Sequence, residues 1–347
     1  MGLSSNRSNL VNIPEPEAEA AAGVIAPLVL DRSDVAALLP PMPELVDLVT
    51  ETYRQAAAGA VDVPSKIGVH TDRPLSFFHA MPAWLDARRE AGMKWVSYFP
   101  GSQAVPDSDA TAIMILNEPE TGRPVAIMEA MHLTNARTAA CGIFAAMHLA
   151  PPKPKHLGLI GCGALPSWTV PELTQRFPSL KSGSVFSRRR SSREAFAERI
   201  AAETRLAVSP VDTARAAVEG ADIVLSAIPQ GPPPIAKGAW LKPDALVVAF
   251  DILGTWDDEA LGRFGLLATD SLPRLQNIVD GQRASATLPD RIASFDEIAA
   301  AGKLPGGAAE GPVLAVPGGV ASIDVAVAWA AYRLALQSGR GQTVRLF

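Results

Sequence analysis

The sequence predicts an α/β fold built on a doubly wound parallel sheet, preceded by a separate sheet module. Three observations carry this. From His156 onward, the short apolar runs "HLGLIG", "SGSVFS", "LAVSP", "DIVLSAIP" and "ALVVAFD" alternate with helical stretches such as "SSREAFAERIAAET". Such alternation produces βαβ units with right-handed crossovers. The first of these strands runs into Gly161-Cys162-Gly163 and then into a helix-capable stretch. Ahead of it, "LSFFHAMPAWL", "GMKWVSYFP", "ATAIMILNE" and "GRPVAIMEA" are strand-like runs parted by short turns rather than helices.

Taken in order, residues 1–26 read as a flexible arm rich in Ser, Asn, Pro and Glu. They lack the basic and apolar segments of a secretory signal, and Met1-Gly2 with Ser5 and Asn6 is only a weak lookalike of a myristoylation site. Val29-Leu30 is a strand, followed by a helical turn capped by Ser33 or Asp34. "PELVDLVTETYRQAAAGA" places Leu45, Val46, Val49 and Tyr53 at helical spacing and stops at Gly59. After the four strands, "LTNARTAACGIFAAMHLA" is an Ala-rich helix ended by Pro151-Pro152. In the alternating part, Ser191 or Ser192 caps the second helix, and "SWTVPELTQRF" is a helix with a proline kink. Residues 271–316 read as loop-rich, with "PGGAAEGP" as a linker. "SIDVAVAWAAYRLALQSGRG" closes the chain as a long helix stopped by Gly339.

The bulk composition excludes several classes. With 347 residues, 48% hydrophobic, the chain is long enough for two cores. A net charge of −5 supplies no basic footprint for nucleic acid. No apolar run reaches the roughly 20 residues a bilayer requires. Two cysteines, Cys141 and Cys162, make no disulfide framework and fit a reducing cytoplasm. The five histidines show no ligand spacing with Cys or carboxylates, so no metal is expected.

A dinucleotide fold needs a strand, a tight glycine turn and a helix N-terminus aimed at the pyrophosphate. Gly161 and Gly163, followed by Ala164 and Leu165, supply the turn, while Pro166 occupies the third small-residue position of G-x-G-x-x-G/A. A bare turn is the competing reading of the motif alone; the strand before it, the helix after it and the further βα units favour the Rossmann reading. The second strand ends "VFSRRR", with no acidic residue to bind ribose hydroxyls. Ser187 with Arg188 and Arg189 suits a 2′-phosphate, so NADP(H) is favoured and NAD(H) is possible. The alternative is three solvated arginines in a turn.

The stretches "HAMPAWL", "GMKWVSYFPG", "TGRPVAIMEAMHLTNARTAA", the glycine loop, "VVAFDILG" and "GGVASIDVAVAW" resemble the ornithine cyclodeaminase/mu-crystallin family, in family order over roughly residues 60–335. The resemblance implies a Rossmann domain, residues 139–316, inserted into an α+β substrate-binding and dimerisation domain made of 27–138 plus 317–347, with a homodimer as the assembly. It implies hydride transfer between nicotinamide and the Cα of an amino acid or its imine. It places Lys94 on a family lysine that binds the substrate carboxylate and assists proton transfer, Arg137 on the arginine that holds the carboxylate, and Asp251 on the aspartate facing the substrate nitrogen. A lysine among Met93, Trp95 and Val96 has a physical route to proton transfer, since an apolar setting disfavours its charge. The bland readings are a snorkelling lysine, an exposed helix arginine and a loop-capping aspartate. Thr111, Thr138, Ser226, Ala227, Ile228 and Gly319, with Gly318 beside it, match positions around the cofactor, and Asp324 matches a family aspartate in the last helix.

Two departures bear on the substrate. Lys66 stands where the family often has an arginine, which loses bidentate geometry. His79 stands where ornithine cyclodeaminase has a glutamate, removing the partner for a diamine's second ammonium. Lys66 and His79 are therefore substrate-binding candidates, in a branch closer to imine reductases and opine-type synthases. The leading reading is an NAD(P)H-dependent imine reductase or amino acid dehydrogenase acting on a small amino acid or imine. The alternatives are ornithine cyclodeaminase itself and a non-catalytic NADP(H) and small-ligand binding protein like mu-crystallin.

Overall fold

A computed structural model describes residues 26–102, 108–229, 233–282 and 286–346. The expected arm, apart from Ala26, lies outside the described residues. In chain order the elements are β1 (Leu28–Leu30), α1 (Arg32–Leu38), α2 (Met42–Ala57), β2 (Val61–Asp62), β3 (Ile67–His70), β4 (Phe77–Leu85), β5 (Glu90–Tyr98), β6 (Ala110–Asn117), β7 (Pro124–Glu129) and α3 (Met131–Leu149). The alternating part follows as β8 (His156–Ile160), α4 (Ala164–Arg176), β9 (Ser182–Phe186), α5 (Arg190–Glu203), β10 (Ala207–Pro210), α6 (Ala214–Val218), β11 (Ile223–Ser226), β12 (Leu246–Ala249), α7 (Asp258–Leu261) and β13 (Leu266–Thr269). It closes with α8 (Leu272–Gln282), β14 (Ile292–Ser294), α9 (Phe295–Ala301), β15 (Val313–Val316), α10 (Ala321–Ser338) and β16 (Gln342–Thr343).

Two compact units emerge. One comprises residues up to Leu48, Ala60–Thr134 and Ala321 onward; the other comprises Val49–Gly59 and Asn135–Val320. The first holds a mixed sheet in the order β16-β1-β7-β6-β5-β4-β2, with β3 on β4. Its strands pair antiparallel except β1 with β7. Helix α10 covers one face: Trp329 Nε1 donates to Ala91 O at 3.0 Å, and Val325 packs where a side chain on Gly92 would project. Glu90, fully buried at the start of β5, takes Arg88 at 2.9 Å and Arg333 of α10 at 2.7 Å.

The second unit is an all-parallel sheet in the order β10-β9-β8-β11-β12-β15-β13-β14. Its central strands are apolar on both faces, as a sheet covered by helices on both sides requires. Strand order reverses between β8 and β11, because β8 is followed outward by β9 and β10 while β11 leads to β12. That crevice is the position where doubly wound sheets take ligands. Gly158 lets β8 approach α6: a Cβ there would press into the Ala217 backbone.

Several local expectations are corrected. Asp31 caps α1, accepting from Ser33 N at 2.8 Å and Asp34 N at 2.9 Å, with Asp34 completing a capping box. The aspartate one turn earlier outcompetes Ser33 and Asp34 because it alone has extended backbone geometry. Helix α5 begins at Arg190 with Arg189 at its cap position and no side-chain cap, so neither Ser191 nor Ser192 serves. By contrast, Pro166 sits in the first turn of α4 as the glycine loop places it, where its missing N–H is harmless. Residues 271–316 are not mainly loop: α8, β14, α9 and β15 occupy much of the segment, and Ser294 caps α9 through a capping box with Glu297. Among the described residues no helix is long and apolar enough to cross a membrane.

The Glu90 pair makes the first prediction. Glu90→Ala should lower unfolding free energy by about 3–5 kcal/mol, since it strands two poorly solvated guanidinium groups. Urea titration followed by tryptophan fluorescence reads this directly, and a loss near zero would show that the pair contributes nothing.

Candidate active site

In the first unit, alternation along β5 sends Lys94 to the face covered by α10, while Trp95 goes to the other face. Lys94 is 2% exposed, and its Nζ donates to Asp324 Oδ2 at 2.6 Å and to Thr134 Oγ1 at 3.4 Å. Asp324 itself is 0% exposed. The sequence places Lys94 in an apolar setting; the structure sets it between the buried Met81 and Met114 on adjacent strands and adds a carboxylate that faces the ammonium. Asp324 is thereby tied to the Lys94 site rather than to the helix alone. His79 pairs with Val96 across β4–β5, two positions from Lys94's partner Met81, so both side chains leave the sheet on the same face. His79 stacks on Phe77 at 4.0 Å between centroids and meets His70 edge-on at 6.3 Å. Lys66 is half-buried just before β3. Thr111 is exposed and bonds Ser97 Oγ at 2.7 Å. It pairs with Ser97, three residues from Lys94, and so lies on the opposite face of the sheet.

In the second unit the glycine loop closes β8 at the switch point. Gly161 has φ +101°, and a side chain there would press on the Ala227 carbonyl carbon at 2.9 Å, so only glycine fits. Ala227 N in turn donates to Ile160 O at 2.8 Å, which packs the loop after β11 against the loop after β8. Around Gly163 the space is open, and no side chain caps α4. The helix N-terminus therefore presents backbone N–H groups to an open surface, minus the one Pro166 lacks; the proline ring is buried beneath. Ser187 lies at the tip of β9, where Arg193 donates to its carbonyl at 3.0 Å and also pairs with Asp212. Arg188 and Arg189 are exposed beside the uncapped start of α5, while Arg190 is engaged by Glu194 at 2.7 Å.

Asp251 follows β12, next to β11. It is 7% exposed. Ser226 Oγ donates to its Oδ1 at 3.1 Å, Ile228 N donates to Oδ2 at 3.3 Å, and Thr255 Oγ1 also donates to Oδ2. Burial pushes its carboxyl above the usual range, against the pull of these hydrogen bonds. Trp256 Nε1 reaches Ser226 Oγ at 3.3 Å, anchoring the donor from behind. Ile252, a β-branched residue, has φ +60°, a conformation costing about 1–3 kcal/mol. The strain is stored in the turn that aims Asp251.

A second cluster in this unit surrounds Arg137, which is 5% exposed on α3. A Cβ on Gly319 would lie 2.8 Å from its Nη2 and 3.0 Å from its Cζ. Thr138, beside it, is also buried. Asp270 accepts from Gly318 N at 2.7 Å, from Gly319 N at 3.1 Å and from Tyr53 Oη at 3.1 Å. Arg274 donates to Gly318 O. Asp296, in the first turn of α9, has its carboxyl raised to about 7 by burial and by the charges of Asp270 and Glu297.

A model of the ornithine cyclodeaminase/mu-crystallin family matches residues 26–333. The chain belongs to that family. The nodulation efficiency protein NfeD of Rhizobium meliloti is 29% identical over 91% of this chain and 97% of its own. Among solved structures, Thermococcus litoralis Δ1-pyrroline-2-carboxylate reductase with NADH and L-proline superposes with a TM-score of 0.81 at 25% identity, covering 91% of this chain and 100% of the other. An archaeal alanine dehydrogenase dimer with bound NAD gives a TM-score of 0.83 at 26% identity, over 93% and 100% of the two chains.

Family membership fits what the residues can hold. An open, uncapped helix N-terminus beside two packed loops at the switch point suits the pyrophosphate of a nicotinamide dinucleotide. Of the expected residues, Gly161, Gly163, Ala164, Leu165, Ser226, Ala227, Ile228 and Asp251 line the ends of three neighbouring strands, and Ser187, Arg188 and Arg189 form the next tip along. Arg137 and Gly319 touch in a separate cluster with Thr138 alongside. Lys94, His79 and Lys66 belong to the first unit, and Thr111 lies on that sheet's other face. Sequence reasoning missed Thr255, Trp256, Tyr53, Asp270, Arg274 and Asp296. Thr255, four residues after Asp251, is the one a spacing argument could have found. Tyr53 and Asp270 are brought together from distant parts of the chain, and nothing in the sequence links them.

Asp296 gives a pH prediction with a defined sign. Its carboxyl holds a proton more tightly when folded than when unfolded. It therefore favours folding fully below the unfolded pKa of 3.8, and that contribution is lost as pH rises to about 7. Asp296→Asn should raise the melting temperature at pH 8 and make no difference near pH 4; calorimetric melts across that range test it, and a constant offset would refute the assignment.

Proposed function

We propose that this protein is an NAD(P)H-dependent oxidoreductase that reduces a C=N bond next to a carboxylate, or oxidises the corresponding amino acid in reverse. The observation that carries the reading is Asp251: a buried carboxyl with raised proton affinity, at the C-terminal end of a parallel strand beside the glycine loop. Such a group can deliver a proton to an imine nitrogen. Arg137 holds the substrate carboxylate through its guanidinium fork. Lys94, whose Nζ donates to Asp324 Oδ2, is the lysine to which the family resemblance gives carboxylate binding and help with proton transfer. When bound, the nicotinamide supplies the hydride to the imine carbon, and the proton on nitrogen comes from Asp251, so the product is the amine. The relatives named for Δ1-pyrroline-2-carboxylate reduction and for alanine dehydrogenation support this reaction class. Dinucleotide binding is assigned to residues 139–316, and substrate binding and dimerisation to 27–138 with 317–347. The archaeal alanine dehydrogenase, solved as a dimer, supports a homodimer here.

Within the cofactor class we infer a preference for NADP(H). No carboxylate stands at the tip of β9, and Arg188 and Arg189 are exposed at an uncapped helix start beside Ser187. Arg188→Ala and Arg189→Ala should each weaken NADPH binding about tenfold while leaving NADH nearly unchanged, the worth of one charge-assisted hydrogen bond. Isothermal titration of both cofactors decides this; equal effects on the two would remove the 2′-phosphate role.

The catalytic reading is tested by NADPH and NADH oxidation against Δ1-pyrroline-2-carboxylate and against keto acid plus amine pairs. Lys94→Arg retains a cation for Asp324 and should lower kcat by about a hundredfold or more with cofactor affinity intact. Parallel loss of cofactor binding would instead assign Lys94 to the architecture of the unit.

A further inference from the structure

Gly318 and Gly319 lie between β15 and α10 and form the surface against which Arg137 rests. Gly319 has φ +74°, so its peptide is presented in a conformation that residues with side chains rarely adopt. The β13–β15 ladder already pairs Thr269 with Val316, and Thr269 Oγ1 donates to Val316 O at 2.9 Å. The two strands are therefore held without help from the next residue, Asp270. Yet Asp270 takes both following amides, Gly318 N at 2.7 Å and Gly319 N at 3.1 Å, while Arg274 holds the Gly318 carbonyl. Tyr53 Oη anchors the other side of the carboxylate at 3.1 Å. Tyr53 is itself immobilised between Phe144 at 5.1 Å and Phe295 at 5.6 Å.

We propose that Asp270 is a positioning residue for Arg137, acting through the Gly318–Gly319 peptide, with Arg274 and Tyr53 holding the clamp closed. The proposal rests on the reading of Arg137 as the carboxylate-binding residue. A guanidinium fork binds a carboxylate bidentately only when its plane is fixed, and placement errors of about one ångström cost on the order of a hundredfold in rate. Arginine has a long, rotatable stem, so its plane must be set by what it packs on. One surface that it packs on here is a peptide without side chains, and two adjacent N–H groups bound by one carboxylate fix the orientation of that peptide. The Asp270 carboxylate also sits in a charged neighbourhood that the fold does not need for strand pairing. Arg137 and Arg274 lie close enough to affect each other, and Asp296 repels it from α9.

The test uses the full chain with Asp270→Asn and Tyr53→Phe, each conserving volume, and Asp270→Ala as the stronger change. Amide hydrogen exchange at Gly318 and Gly319, and phenylglyoxal modification of Arg137 read by peptide mass spectrometry, need no turnover. Asp270→Asn should speed both by about tenfold, the equivalent of one hydrogen bond, with Tyr53→Phe in the same direction and NADPH affinity unchanged. With Δ1-pyrroline-2-carboxylate, KM should rise while kcat stays within about twofold, and Asp270→Asn should add nothing to an Arg137→Lys background. Faster loop exchange with Arg137 modified at the wild-type rate would overturn the proposal, as would no change in either. If Asp270→Ala fails to fold, the two milder variants decide. If Arg137→Lys alone leaves KM unchanged, the carboxylate role of Arg137 falls, while the modification rates still report whether Asp270 positions it.

Discussion

The buried pair between Lys94 and Asp324 ties the sheet of the first unit to its last helix. Across the sheet, Met81, Lys94, Met114 and Met128 stand in register on adjacent strands, each at most 3% exposed. One ammonium in a row of thioethers cannot be tolerated alone, because desolvating an unpaired charge costs several kcal/mol. Its carboxylate comes from α10, 230 residues later in the chain. The sheet is thus incomplete until the last helix returns to it, and every strand of the parallel sheet falls in sequence between the two halves of the pair. The pair also fixes register. A slip of one residue would turn Lys94 outward and bring Trp95 under α10, losing both the ion pair and the apolar row.

Asp251 shows the opposite treatment of a buried charge. No cation faces it among the hydrogen bonds and ion pairs of the described residues; three neutral donors do. Neutral donors favour the carboxylate less than an ammonium would, so desolvation prevails and the proton affinity rises. One buried group thus faces a countercharge, while the other faces neutral donors and has its proton affinity raised. The strained Ile252 and the anchored Ser226 are consistent with a carboxyl whose direction matters, since a merely buried acid would relax its backbone.

Much of this was legible in the sequence because it was local. The alternation after His156, the glycine turn at Gly161 and the aspartate ending "VVAFD" are features of a few consecutive residues, and the parallel sheet forms as they indicate. Lys94 could be marked as unusual from its apolar neighbours, and its cross-strand partners are apolar, but the Asp324 carboxylate that meets it comes from a distant helix and could not be read. Thr111 was matched by position, while strand alternation turns it to the other face of the sheet. The segment 271–316 was read as loop because prolines and glycines recur along it, although Leu272, Leu275 and Val279 keep helical spacing in "LPRLQNIVDGQ". The capping of α1 turned on backbone geometry at Asp31, which propensity alone does not distinguish from Ser33 or Asp34.

The partners gathered around Arg137 were illegible for a deeper reason. The cluster gathers Tyr53 from α2, Arg137 from α3, Asp270 after β13, Arg274 from α8, Asp296 from α9 and the glycines before α10. No pair of these is close in sequence except Asp270 and Arg274. Two guanidinium groups face two carboxyls, one of which has its affinity for a proton raised to about 7. Asp270 joins the two sides of this set: it accepts from the Gly318 and Gly319 amides beside Arg137, and its charge, with burial and Glu297, raises the proton affinity of Asp296.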